Sequence, residues 1–291
     1  MLAIRALEFN GVSATARSLL DHFTCRVIPL LLLGGLLCLT WSLSAPQSHY
    51  VAAAEFDLVP DRPGYADSTL TVAPRHWHIE LGSSWLTDSD VQANTLIRYG
   101  LARGWELRLS GPTLTQNFAV STPIDPDPAP IPLAVGGAGL GTKWSYQRSK
   151  FSSSIVLMVG IPVTGAETAL SPDPLFQLKG QLEYPLNEHI FVGLTFKSAL
   201  FDETTPALES AYGEELGGLW GLVGALSWVE VDWSLYAQSG CELVVDTLTP
   251  LVGVGGTLRL AHSVQLDFSL DAPLAPDGVH PRYGSGITIG W

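Results

Sequence analysis

The stretch Tyr283-Gly284-Ser285-Gly286-Ile287-Thr288-Ile289-Gly290-Trp291 says more about the architecture of this chain than any other. Successive residues of a β-strand point to opposite faces of a sheet, so these residues separate into two sets. One face carries aromatic and aliphatic side chains with one serine, and the other carries only glycine and threonine. A strand that is apolar on one side, small on the other and aromatic at its end is typical of a strand set in lipid. An amphipathic strand of a soluble sheet is the alternative, and the rest of the sequence distinguishes the two.

The composition resembles that of a membrane protein. The 291 residues are 46% hydrophobic and only 15% charged, whereas soluble domains carry about 25% charged residues. Yet after residue 54 no apolar run reaches the roughly 18 residues that a membrane-spanning helix needs. A β-barrel reconciles these observations, because apolar and polar residues alternate along its strands.

The N-terminal 54 residues have the pattern of a signal peptide. The segment Val27–Ala45 is apolar and uncharged, arginines precede it, and Ala52-Ala53-Ala54 offers a small-residue cleavage site. We therefore expect residues 1–54 to be removed on export. An uncleaved anchor helix over the same segment is the alternative.

Charge and cysteine content narrow the function further. The formal net charge is −13, which argues against nucleic acid as a partner. Of the three cysteines, Cys25 and Cys38 belong to the predicted leader, so only Cys241 remains. The exported chain is therefore expected to contain no intrachain disulfide. The sequence contains no nucleotide, zinc or triad motif, so we expect no cofactor.

From residue 75 onward, alternating apolar and polar residues recur roughly every 20 residues. This pattern predicts an all-β fold, a transmembrane antiparallel up-and-down β-barrel of about 12 strands (range about 10–14) over residues 75–291. The last strand is expected to pair with the first. The predicted strands cover residues 77–85, 91–99, 105–110, 142–146, 152–161, 176–184, 190–197, 211–223, 229–235, 252–259, 264–271 and 283–291.

The connections between these strands alternate in length. Long links are expected at 111–138, 162–174, 200–210, 239–250 and 272–282, and only 87–90 is short in that set. Tight turns are expected at Gly100–Arg103, Gln147–Phe151, Pro185–His189, Ala225–Ser227 and Ala261–Ser263. Long loops at one end and short turns at the other are typical of bacterial outer-membrane barrels, with the turns in the periplasm.

Several motifs carry a resemblance to a known family. They are Asp61-Arg62-Pro63-Gly64, Arg98-Tyr99-Gly100-Leu101, Trp105-Glu106-Leu107-Arg108, Gly141-Thr142-Lys143 and Gly160-Ile161-Pro162-Val163-Thr164-Gly165. In this order they resemble the outer-membrane proteins named for the meta-pathway of phenol degradation. The chain departs from that pattern at Arg75, where the family has glycine. The strand ending at Trp291 also resembles the C-terminal signal read by the outer-membrane barrel-assembly machinery.

The resemblance implies an outer-membrane channel or transporter for small solutes, aromatic or other hydrophobic compounds among them. Its partners would be outer-membrane lipid, the barrel-assembly machinery and the solute. The alternatives from other classes are a barrel enzyme, such as a lipid hydrolase or acyltransferase, and a closed structural barrel. An enzyme would need an acid–base group near the outer rim. Only His280 with Asp277 is a candidate there, and we assign no catalytic residue and no metal.

If the apolar strand faces meet lipid, the polar faces line the lumen. Opposite charges on adjacent strands predict a cross-strand ladder of ion pairs, which either rigidifies the lumen or contacts the solute. An acidic second wall would favour cations. The predicted lumen residues are Glu80, Arg98, Glu106, Arg108 and Lys143 on the first wall, and Glu230, Asp232, Asp267 and Asp271 on the second.

Residues 55–74 precede the first strand. They are expected either to enter the barrel as a plug, with Asp61 or Arg62 paired to the inner wall, or to form a solvated periplasmic extension.

Overall fold

The computed structural model describes residues 58, 61, 67–85, 90–117, 134–148, 151–161, 175–200, 218–244, 247–274 and 281–291. The predicted leader over residues 1–54 and the plug candidate Arg62 lie outside the described residues. So do His280 and Asp277. Within the described part of the chain, no helix is long and apolar enough to cross a membrane.

All the regular elements described are β-strands. Their bounds are β1 Trp77–Trp85, β2 Asp90–Ala102, β3 Trp105–Ser110, β4 Leu114–Asn117, β5 Ala134–Val135, β6 Ala138–Arg148, β7 Phe151–Ile161, β8 Phe176–Pro185, β9 Ile190–Leu200, β10 Gly218–Val229, β11 Trp233–Val244, β12 Thr247–Ala261, β13 Val264–Pro273 and β14 Arg282–Gly290.

Twelve of these strands, β1–β3 and β6–β14, form a closed antiparallel ring. The ring closes because β1 pairs with both β2 and β14, in a register that runs from His78 opposite Gly290 to Trp85 opposite Tyr283. Trp291 extends this pairing: its N–H donates to the Trp77 carbonyl at 3.0 Å, and the Trp77 N–H donates to the Trp291 carbonyl at 2.9 Å. Closure satisfies the strand edges that an open sheet would expose. The predicted twelve-strand barrel is therefore confirmed.

The short strands β4 and β5 belong to the long link between β3 and β6. Strand β4 continues the pairing along β2, with Leu114 opposite Ala93, and β5 pairs with β4, with Val135 opposite Leu114. They extend the sheet at the end of the barrel where the long links lie.

The outer surface of the ring is apolar. Large side chains on it are about 40 to 60% exposed, among them Leu81, Leu140, Val159, Leu194, Leu222, Leu226 and Val254. Aromatic side chains gather near the two ends of the strands. Trp77 and Tyr99 lie 4.5 Å apart and Trp228 and Trp233 lie 6.5 Å apart at the short-turn end, whereas Phe196 and Trp220 pair at 5.8 Å toward the other end. An apolar band between two aromatic girdles is the exterior of a barrel that spans a lipid bilayer.

The turn predicted at Ala225–Ser227 is wrong. Strand β10 continues to Val229, and the chain reverses over residues 230–232. The Glu230 N–H donates to the Trp233 carbonyl at 2.8 Å, so the ladder extends up to the turn itself. Small residues at 217, 218, 221 and 224 weaken the alternation that would have located the strand.

The long link predicted at 239–250 is also wrong. Strand β11 reaches Val244 and β12 begins at Thr247, with Leu243 opposite Leu248. The polar run Gln238–Gly240 resembled a loop, but it lies within the strand, with Gln238 buried on the inner face. The end of β11 and the start of β12 therefore lie in a stretch that the polarity pattern assigned to a loop.

Candidate functional site in the barrel interior

The described residues of the N-terminal segment lie inside the ring. We call Leu58, Asp61 and residues 67–74 the inner segment. Thr69 and Val72 are essentially inaccessible, Asp61 is 6% exposed, and their partners are side chains on the inward faces of the strands.

Gly100 is the point at which the inner segment joins the wall. The Arg75 N–H donates to the Gly100 carbonyl at 2.8 Å, and the Gly100 N–H donates to the His76 carbonyl at 3.0 Å. A Cβ atom at Gly100 would overlap the carbonyl oxygen of Ala73. Glycine is required here because two backbones approach too closely for any side chain.

Arg98 on β2 stands at the centre of a buried ion cluster. Its Nη1 donates to Glu80 Oε1 at 2.8 Å, while Nε and Nη2 donate to the two carboxylate oxygens of Glu106 at 2.9 and 2.8 Å. Arg108 Nε donates to Glu106 Oε1 at 2.7 Å. The forked contact with Glu106 is the bidentate geometry that suits a guanidinium. The structure thus brings together four of the five residues predicted for the first wall.

Lys143, the fifth, is joined to this cluster by the inner segment. Its ammonium donates to Asp61 Oδ1 at 2.8 Å, to Asp61 Oδ2 at 3.0 Å and to the Ser68 carbonyl at 2.7 Å. Asp61 Oδ2 also contacts Arg98 Nη2 at 3.6 Å and the guanidinium of Arg108. Removing charge from water is costly unless it is paired. The buried cations of the cluster are Arg98, Arg108 and Lys143, and the wall places two carboxylates among them, Glu80 and Glu106. Asp61 of the inner segment supplies a third carboxylate.

A second set of contacts fixes residues 67–72. Asp67 accepts hydrogen bonds from Lys179 at 2.7 Å and Gln181 at 3.2 Å. The Thr69 hydroxyl contacts Glu183 and lies 2.6 Å from the Ser152 hydroxyl, and the Val72 N–H donates to Glu106 Oε2 at 2.8 Å. The inner segment is thus bonded to β3, β6, β7 and β8.

A cavity of about 390 Å³ lies beyond the inner segment, toward the long-loop end. Its floor contains Asp61 and Asp67 with their partners Arg108 and Lys179. Hydroxyl, amide and glycine positions predominate in its walls, among them Ser83, Asn94, Ser110, Gly139, Ser269 and Ser285.

Two of the predicted second-wall residues are not in the lumen. Glu230 and Asp232 lie in the turn between β10 and β11, where Trp228 Nε1 donates to Glu230 Oε1 at 2.9 Å and His189 Nδ1 lies 3.4 Å from the same oxygen. They were assigned to the lumen because the turn was placed five residues too early. The predicted preference for cations rested on four acidic residues of the second wall, and two of these four therefore lie outside the lumen.

Asp267 and Asp271 do lie on the buried inner face of β13. Asp267 borders the cavity, and Asp271 accepts a hydrogen bond from Gln238 at 2.5 Å. The prediction missed Asp67, Lys179, Glu183, Lys197 and Glu242. Strand alternation could have identified the two lysines and Glu183, but Glu242 was hidden in the misassigned loop.

His76 and His78 are two residues apart at the start of β1 but have different surroundings. His78 is buried on β1, whereas His76 lies before the strand with its Nδ1 3.0 Å from the Pro74 carbonyl oxygen. Among the residues that the structure describes, no group of three or more His, Cys, Asp or Glu side chains could hold a metal ion.

Comparison with known proteins shows likeness in solved structures only. No family model matches the chain, and no curated protein matches it. The KdgM porin aligns with 73% of this chain and 98% of its own at 12% identity and a TM-score of 0.49, and an outer-membrane channel from Pseudomonas putida F1 with 83% and 100% at 12% and 0.48. The CymD monoaromatic hydrocarbon channel aligns with 75% and 88% at 10% identity and 0.42. At such identities and TM-scores, these proteins assign neither a solute nor a residue role to this chain.

Proposed function

We propose that this protein is a channel of the bacterial outer membrane through which small solutes pass. The observation that carries the proposal is the combination of a closed barrel with an apolar outer band and an inner face lined with charge. Lipid requires the first feature, and passage of polar or charged solutes requires the second. Export by the signal peptide over residues 1–54 and recognition of the β14 strand by the assembly machinery belong to the same proposal.

The inner segment acts as a plug in this proposal. Asp61, Asp67, Thr69 and Val72 each bond to the wall, which supports the plug over a solvated periplasmic extension. The cavity beyond it supports entry of solutes from the long-loop side, with the ion pairs of Asp61 and Asp67 at its floor. The wall residues Glu80, Arg98, Glu106, Arg108 and Lys143 then serve two roles, holding the plug and lining the pathway after it moves.

The proposed solutes, which follow from the family resemblance of the sequence, are small compounds, aromatic or other hydrophobic ones among them. A barrel enzyme and a closed structural barrel are the competing functions. A channel differs from both in passing ions and solutes without chemical change, and this difference defines the test.

Deleting residues 55–70 should increase ion conductance in planar bilayers and accelerate swelling of liposomes with small solutes, because the plug contacts are lost. Asp61→Asn combined with Asp67→Asn should act in the same direction and keeps the full chain if the deletion fails to fold. Asp232→Asn is the matched control. It removes an acidic side chain from an exposed turn and should behave as wild type. If conductance and swelling are absent from wild type and from both variants, the channel function is wrong. Unchanged conductance in folded variants of an active channel would remove the plug.

A further inference from the structure

Three lysines on the inner wall occupy a shared register. Lys143 on β6 is opposite Val156 on β7, Val156 is opposite Lys179 on β8, and Lys179 is opposite Lys197 on β9. We call Lys143, Lys179 and Lys197 the lysine arc. Sequence distance hides this arrangement, because adjacent members are 36 and 18 residues apart.

The arc concentrates positive charge on one side of the barrel. Cross-strand partners lie about 5 Å apart at Cα, and like charges directly opposite each other are destabilising. Val156, between Lys143 and Lys179, is fully buried and offers no charge. On the far side of Lys197 the row continues through Gly221 to Glu242, and on the far side of Lys143 it continues to Glu106, so an acidic residue of the wall lies at each end of the arc.

The inner segment places carboxylates directly on this arc. Both oxygens of Asp61 lie within 3.0 Å of the Lys143 ammonium, and an oxygen of Asp67 lies 2.7 Å from that of Lys179. The segment contacts the arc through two aspartates, each at hydrogen-bonding distance from a different lysine. These contacts indicate that the arc accepts carboxylate ligands.

The arc meets the outer cavity at Lys179. Asp61, Asp67, Arg108 and Lys179 all border that cavity. A solute that enters from the long-loop end therefore reaches an aspartate–lysine pair before the remainder of the plug. A solute carboxylate can replace the Asp67 carboxylate on Lys179 with no change in the charge of the site.

We propose that the lysine arc is a binding site for small organic carboxylates, occupied in this state by Asp61 and Asp67 as internal ligands. The proposal rests on the channel function and names its substrate class. It reverses the preference for cations expected from sequence, because the wall residues that the plug neutralises are cationic. A carboxylate that displaces Asp67 also weakens the plug, so the solute favours its own passage.

The test uses benzoate and its neutral analogue benzamide on the purified, detergent-solubilised protein, with binding measured by titration calorimetry. Asp61→Asn combined with Asp67→Asn frees the arc and should bind benzoate about tenfold or more tightly than wild type, since one charge-assisted contact commonly changes an equilibrium by that factor. Adding Lys179→Gln to this variant should reduce benzoate affinity about tenfold by the same reasoning. Benzamide should bind weakly to all of them.

Arg103→Gln removes a cation from an exposed turn and is the control for Lys179→Gln. It should leave benzoate affinity unchanged. Equal affinity for benzoate and benzamide, or benzoate binding that survives Lys179→Gln, would overturn the carboxylate site.

Bilayer recordings separate this proposal from the channel function. In a potassium chloride gradient, the reversal potential of the double aspartate variant should shift from the wild-type value toward that of an anion-selective pore. Conductance without this shift, together with equal benzoate and benzamide binding, leaves a channel and removes the carboxylate site. Selective benzoate binding without conductance in any variant would leave the site and remove the channel.

Discussion

The backbone at Arg75 adopts a conformation that is unfavourable for any residue with a side chain. It has φ of 68°, in the left-handed region that glycine tolerates and L-residues with a side chain disfavour. The conformation persists because the Arg75 N–H bonds to Gly100 and the His76 N–H bonds to the Ala73 carbonyl at 3.1 Å, which fixes the turn from the inner segment into β1. The turn therefore forms with arginine at position 75, where the family that this sequence resembles has glycine.

Replacing Arg75 with glycine should therefore stabilise the barrel. Relief of the left-handed strain contributes about 1–2 kcal/mol, and the greater freedom of glycine in the unfolded chain offsets about 0.5–1 kcal/mol of it. The free energy of unfolding in urea, measured in detergent micelles, checks the net gain. Arg103→Gly makes the same substitution in a turn where arginine has no positive φ, and it should give no gain. An equal gain in both variants would contradict the strain argument.

The alternation of apolar and polar residues predicts the bounds and the inner face of some strands but not of others. In β13 the apolar residues Leu266, Phe268 and Leu270 face out and Asp267 faces in, as the sequence pattern predicts. In β10 the inner face carries Val223 and Ala225, so both faces are apolar and the end of the strand cannot be located by polarity. In β11 polar residues continue along the strand toward the long-loop end, so polarity alone makes this part of the strand resemble a loop.

Trp291 should matter to folding through its backbone more than through its ring. Deleting it removes both hydrogen bonds with Trp77, each contributing about 0.5–1.5 kcal/mol, at the seam that closes the ring. We expect a smaller folded fraction, measured by the heat-sensitive gel mobility of refolded barrels. Trp228→Ala, which removes another exposed girdle aromatic and no backbone bond, should cost less. A larger loss in Trp228→Ala would show that the ring, not the seam, is decisive.

At the scale of the whole molecule, one barrel divides two environments of opposite polarity. Leucines and valines face outward, whereas Glu80, Arg98, Glu106 and Lys143 are fully buried inside. The interior can hold this charge because the inner segment completes its pairing and its hydrogen bonds. The charged interior and the inner segment are therefore one structural unit.

The lipid-facing assignment predicts a dependence on depth. Leu222→Arg, near the middle of β10, should lower the free energy of unfolding from lipid vesicles by about 2–4 kcal/mol, since a cation there meets the bilayer midplane. Leu248→Arg, at the tip of the long β11–β12 hairpin, should cost only about 0–1 kcal/mol. Equal costs would show that the apolar exterior is not a membrane-spanning band.

The sequence by itself determined the closed barrel, its strand count, most of its turns and the inward direction of Glu80, Arg98, Glu106, Arg108 and Lys143. These properties follow from alternation and turn chemistry, which act between residues close in the chain. Only the tertiary structure decided that Asp61 pairs with Lys143, 82 residues away, and that Lys143, Lys179 and Lys197 share a register. The physical reason is that the hydrogen-bond register between strands sets which inward side chains meet, and this register is not encoded in the polarity of any single strand.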